Sequence, residues 1–259
     1  MKRKLFKWTI RISVVIIITL SILIWLVLTP SLMYANKTQM GIFTVYHNKP
    51  LDKDLKLRLD DAMEILKASE YYDQDIKFNI CMNDGSYYPS FMQFFLGKAF
   101  ALGYTSNIVT LCGNVNIKDN YAEVNGCKWN LTQLLAHEET HCFVFHKFGF
   151  WHSNPVTHYP IWKWEGYPEY ISRNTPEQKD LVKNIEILNN IPKENKDDWG
   201  ISFSDSTLTS KEYFHYRLLV QYCLDIKKQK YKDLLQDTTS EQTTTTQMMN
   251  WFATQKKNY

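Results

Sequence analysis

The chain has 259 residues, enough for one sizeable core with room for a small subdomain, and at 44% hydrophobic and 15% aromatic its composition is not that of a disordered chain. Lys+Arg 30 against Asp+Glu 27 leaves a net charge of +3, and no basic stripe follows the first dozen residues, which argues against a nucleic-acid partner.

The N-terminus is the clearest compositional event. Lys2, Arg3, Lys4, Lys7 and Arg11 precede Ile12 to Leu28, a run of 17 residues without a charge. That length is near the lower limit for a helix that spans a bilayer. The basic flank ahead of it predicts a cytoplasmic N-terminus and an extracytoplasmic remainder. A cleaved signal peptide is the competing reading. Against it, Thr29 to Ala35 offers no small-x-small pair at a good distance, and Trp25 sits where an interfacial aromatic would. Residues 1–29 are therefore read as basic flank and retained single-pass anchor, 30–40 as a linker and 41–259 as the folded domain.

Within that domain, Ile42 to Tyr46 alternates and is β-branched, which predicts a strand. Leu55, Leu59, Met63 and Leu66 recur at helical spacing, so Leu51 to Ser69 predicts an amphipathic helix. Ile76 to Met82 alternates again, a second strand, and Asn83 to Ser86 is a turn. Phe91 to Leu102 predicts a further helix and Asn107 to Cys112 a third strand. The five cysteines include no C-x-x-C, which argues against a cysteine metal cluster; Cys112 with Cys127 is the one disulfide expected.

Leu134 to His146 reads LLAHEETHCFVFH. Asn130 offers an N-cap with Gln133 three residues later, the spacing of a capping box, and Gly149 stands where a helix stop belongs. His137 and His141 lie one turn apart, so both imidazoles leave the same side of the helix. A catalytic zinc takes three protein ligands and keeps one position open. Two histidines at i and i+4 supply two of them, and Glu138, directly after the first, lies beside the metal, placed to take a proton from water. The bland alternative is a helix whose polar residues carry no metal. A third candidate ligand weighs against it: Glu165, with 23 residues between it and His141, in PIWKWEGYPEYI. Glu169, one turn further on, is placed to accept the outer N–H of a ligand histidine, or is simply a solvated carboxylate.

H-E-x-x-H followed by W-x-x-E-G-x-x-E-Y resembles the gluzincin zinc metallopeptidases, well over Asn107 to Arg173 and weakly over Tyr213 to Leu235. The resemblance implies an α+β, zincin-like domain, with a small mixed sheet, an active-site helix and a helical C-terminal part. It implies Zn2+ held by His137, His141 and Glu165, Glu138 as general base toward zinc-activated water, and a peptide or protein substrate. It also implies that the strand Asn107 to Cys112 forms the sheet edge beside the site. A tyrosine near the start of the helix read over Glu212 to Asp225 would steady an oxyanion; Tyr213 is the better match and Tyr216 the alternate. Pro168 departs from the family's pattern, and is tolerable if Glu165 lies in the first helical turn. Gly166 is expected to let the backbone approach the zinc helix. His146, His152, His158 and His215 have no metal-ligand spacing. Asp237 to Gln247 reads as a polar loop before a short helix near Met248 to Phe252. Two other readings stay open: a catalytically inactive zincin-like binding module on the outer face of the membrane, motivated by the lack of a large flanking domain to build a cleft, and a structural membrane protein in which the motif is incidental.

Overall fold

The computed structural model describes residues 2–176, 178–191, 200–203 and 208–255. The chain is a mixed α+β protein with one apolar helix at its N-terminus. That helix, α1 (Lys2–Leu28), is long and apolar enough over Phe6–Leu28 to cross a membrane or to be a signal sequence. From Phe6 onward its side chains are mostly exposed, with Val27 near its end packed against the domain, so it is not a core helix.

A five-stranded sheet follows, built from β1 (Asn36–Met40), β2 (Phe43–His47), β3 (Phe78–Cys81), β4 (Ala101–Gly103) and β5 (Ile108–Leu111), in the order β1-β2-β3-β5-β4. The three central strands β2, β3 and β5 run parallel, and both outer strands are antiparallel to their neighbours. Parallel neighbours need a long crossover, and α2 (Leu55–Leu66) supplies the one between β2 and β3. Side-chain alternation then divides the sheet. Phe43, Val45, Phe78, Ile80, Val109 and Leu111 enter the main core beneath α2 and α4 (Leu131–Phe148). Tyr46, Cys81, Ile108 and Leu102 enter a smaller core on the other face, under α3 (Tyr88–Leu96). Burial on both faces is why β5 reads as an unbroken buried run.

Several expectations change here. The helix expected over Phe91 to Leu102 is instead α3, stopped by Gly97 at φ 93°, followed by the separate strand β4. Strand β4 lies outside β5, so the edge beside the site is Ala101–Gly103 and not the strand Asn107 to Cys112. Three residues are too few for an alternation to register. The segment 30–40, expected as a linker, holds a short 3-10 turn (Pro30–Met33) and β1. Between β5 and α4 comes a meander of β6 (Asn114–Asn116), β7 (Tyr121–Val124) and β8 (Cys127–Asn130). Its β7–β8 turn is Asn125-Gly126, both at positive φ, a two-residue hairpin turn absent from the sequence expectations. All five cysteines are free, and the expected Cys112–Cys127 bond is not formed.

The C-terminal part is helical around a small hairpin. It comprises α5 (Ile161–Ser172), α6 (Leu181–Asn190), β9 (Gly200–Ser202), β10 (Leu208–Ser210), α7 (Lys211–Gln221), α8 (Tyr231–Gln236) and α9 (Glu241–Gln255). Helix α7 runs into a π-helical turn, Tyr222–Ile226. Helix α9 begins within the stretch expected as a polar loop, because Ser240 and successive threonines bond back to carbonyls four residues earlier or cap the first turn. Helix α5 lies between α4 and α7, and this stack places the site.

Candidate metal centre

Helix α4 is capped as its sequence suggests: Asn130 Oδ1 accepts from the Gln133 N–H at 3.0 Å. The Gln133 side chain turns inward and accepts from Arg173 Nη1 at 2.9 Å. From Leu131 to Val144 every residue of the helix is buried, the polar ones included. The motif is thus not a solvated helix face, since buried polar groups need partners.

The partners come from α5. Glu165 Oε2 lies 3.2 Å from His141 Nε2 and 3.4 Å from His137 Nε2. One ligand atom from each of these three residues lies within 4.8 Å of the others. Among the described residues this is the one such trio of metal-binding side chains, and His146, His152, His158 and His215 take no part. Two imidazole nitrogens and a carboxylate oxygen facing one point form a donor set that could hold a divalent ion. The electrostatics fit. Burial favours neutral groups, yet the imidazoles hold the Glu165 carboxyl well below the usual carboxylate range. Burial pulls His137 down, and the Glu165 and Glu169 carboxylates outweigh it and push it up. The two carboxylates thus favour a positive charge on His137, a charge that a bound divalent ion could supply in its place.

Glu169 is wholly buried and is not a solvated carboxylate. Its Oε2 meets His137 Nδ1 at 3.2 Å, which leaves Nε2 facing Glu165. Its other oxygen accepts from Thr209 Oγ1 at 2.8 Å and pairs with Arg173 Nε. A carboxylate so bonded fixes both the ring's orientation and which nitrogen faces inward. Burial opposes its charge, and Arg173 and His137 together hold it ionised, well below the ordinary range.

Glu138 is buried beside the trio, at the wall of a cavity of about 620 Å³. Burial pushes its carboxyl up, while His137, His141 and a bond from the Gly103 N–H pull it back. Strand β4 comes so close here that a Cβ on Gly103 would stand 2.3 Å from the Glu138 carbonyl oxygen. The cavity is walled by β4, the β7–β8 hairpin and helices α4, α5 and α7.

Tyr213 enters from α7. Ser210 caps that helix by accepting from the Tyr213 N–H at 3.0 Å, which sets the first turn over the site. The Tyr213 ring stacks on His137, 6.0 Å between centroids and 4° between planes. Burial, then the charge of Glu165, raises its hydroxyl far above its ordinary value, so it stays protonated. Tyr216, the alternate, turns away to Glu212 at 2.6 Å and does not line the cavity.

Two expectations about α5 change. The helix starts at Ile161, so Glu165 lies beyond the first turn and Pro168 sits inside the helix, which forgoes one main-chain bond there. Gly166 faces α7 and not α4. A Cβ there would stand 2.6 Å from the Tyr216 carbonyl oxygen and 2.7 Å from Val220, both on α7. Trp164 stacks on His141 at 5.6 Å between centroids.

Sequence reasoning did not reach Arg173, Thr209, Gly103 or Trp129. Arg173 stands one turn past Glu169, a spacing that could have drawn notice. Trp129 lies edge-on to both His137 and Tyr213, and its indole N–H, at the cavity wall, has no partner among the described residues. Nothing in a four-residue strand announces such a role. Compared with known proteins, the chain matches no protein-family model, no curated protein and no solved structure.

Proposed function

We propose that the chain is a membrane-anchored zinc metallopeptidase of gluzincin type, its anchor α1 running from a cytoplasmic N-terminus to a domain on the far side. The observation that carries this reading is the convergence of His137, His141 and Glu165 on one point, with Glu138 beside them at a cavity wall. The N,N,O donor set suits zinc, and one open position would face the cavity. A zinc ion held there would polarise a carbonyl and make water a stronger acid. The chain's own residues do the rest. Glu138 accepts the proton of the attacking water and returns it to the leaving amine; its raised affinity for protons suits both halves of that task. The protonated Tyr213 hydroxyl donates to the oxyanion. Glu169, braced by Arg173 and Thr209, keeps His137 turned inward. The cavity also removes the motive for an inactive module, because β4, the meander and α7 build a cleft without any flanking domain. Glu138→Gln is expected to keep its metal and fold and to lose peptide hydrolysis. Full activity in that variant, measured on mixed peptides with a chelator control, would refute the mechanism.

A further inference from the structure

Helix α3 carries no charged residue, and its outer side is aromatic. Tyr87 is 85% exposed and Phe94 83%, and Phe95 and Leu96 are also exposed. Contiguous exposed apolar groups of this kind mark a contact surface. The neighbouring element identifies the contact. Tyr88 Oη donates to the Val27 carbonyl at 2.6 Å, in the last turn of α1, and Ser86 Oγ donates to the Met33 carbonyl at 2.7 Å. Val27, Met33 and Phe91 pack on the same small core. From there Phe91 meets Phe95 at 5.1 Å, and Phe95 meets Phe94 at 5.1 Å. The small core and this aromatic row together connect the end of the apolar helix to the exposed face. Aromatic side chains concentrate at the boundary between hydrocarbon and water, where an uncharged helix face gains by burial among the headgroups. Past Gly97 come Lys98, Ala99 and Phe100, and these three line the site cavity together with Leu96. A lysine at that point can lay its stem on the apolar layer and its ammonium among phosphates.

We propose that α3 rests in the interfacial layer of the membrane that α1 crosses, and that this contact holds the rim of the site cavity at the membrane surface. The proposal rests on the anchored reading of α1. The test uses the full chain in vesicles of phosphatidylcholine and phosphatidylglycerol. Cys127, the one thiol that is not buried, is replaced by serine, and one cysteine at a time carries an environment-sensitive fluorophore: Ile17→Cys, Phe94→Cys, Lys98→Cys and, as a control, Gln242→Cys on α9. Lipids bearing a nitroxide near the headgroup or deep in the acyl chains then quench by depth. The expected result is deep quenching at 17, a blue shift with loss of emission to headgroup nitroxides at 94 and 98, and no loss at 242. Deep quenching at 17 with none at 94 overturns the proposal and leaves the anchor standing. A blue shift at 94 without nitroxide quenching shows a protein covering the patch, and also overturns it. No quenching at 17 overturns the anchored reading and the proposal together.

Discussion

Glu165 and Glu169 are carboxylates one helical turn apart with different surroundings. Glu165 faces both imidazoles through one oxygen, whereas Glu169 has both oxygens committed to His137, Thr209 and Arg173. Glu165→Ala is expected to lose nearly all metal at low zinc. Glu169→Ala is expected to weaken zinc affinity by about 10–100-fold, the usual loss when a ligand's supporting bond goes. Zinc titration of both variants checks this, and the reverse ranking would place the ligand one turn further along α5. These two residues were legible because a short linear motif fixes them. Arg173 was not, since beyond its neighbour Glu169 it reaches Gln133 on α4 and Trp129 on β8, and those come from other elements.

At the scale of elements, legibility follows length and amphipathicity. Helices α2 and α4 carry enough turns for their apolar spacing to register, and α4 has its cap as well. Strands β4 and β6, three residues each, do not, so the edge strand beside the site was misplaced by one position in the sheet. Local composition also misled at α9, where threonines read as loop until Ser240 caps them. The stack of α5 on α7 yields a direct test. Gly166→Ala puts a methyl group against the Tyr216 carbonyl and Val220, so the helices must separate. Overpacking of this kind costs about 1–3 kcal/mol, and a fall in Tm is expected with the secondary structure retained. An unchanged Tm would mean that the contact is looser than described. The turn between α8 and α9 carries a pH signature. Asp237 accepts from Thr239 and, at 3.0 Å, from Gln229, and these bonds hold its carboxyl down to about 2 from an ordinary 3.8. A folded-state value below the unfolded one stabilises above the unfolded value and is lost as pH falls through the folded one. The chain is expected to lose stability as pH drops from about 4 toward 2, and Asp237→Asn to lose less over that window. Equal acid slopes in thermal melts of the two proteins would contradict this.

The whole molecule is organised around a sheet covered on both faces. One face holds the main core and carries α4, and the other is closed by α3 together with the end of α1. The apolar helix is therefore tied to the domain through Val27 and Met33, rather than hung from a loose linker. Along the third dimension, α4, α5 and α7 each lend one part of the site: the histidine pair with Glu138, the Glu165–Glu169 pair, and Tyr213. That convergence is the physical content of the proposal, and it stands or falls on a cation at its centre. The most direct measurement is elemental analysis of the full chain purified in detergent without chelators, followed by zinc titration of chelator-treated protein. One zinc per chain is predicted, lost in His137→Ala and in Glu165→Ala. Protein that is folded, carries no stoichiometric metal and takes up none on titration would contradict the account.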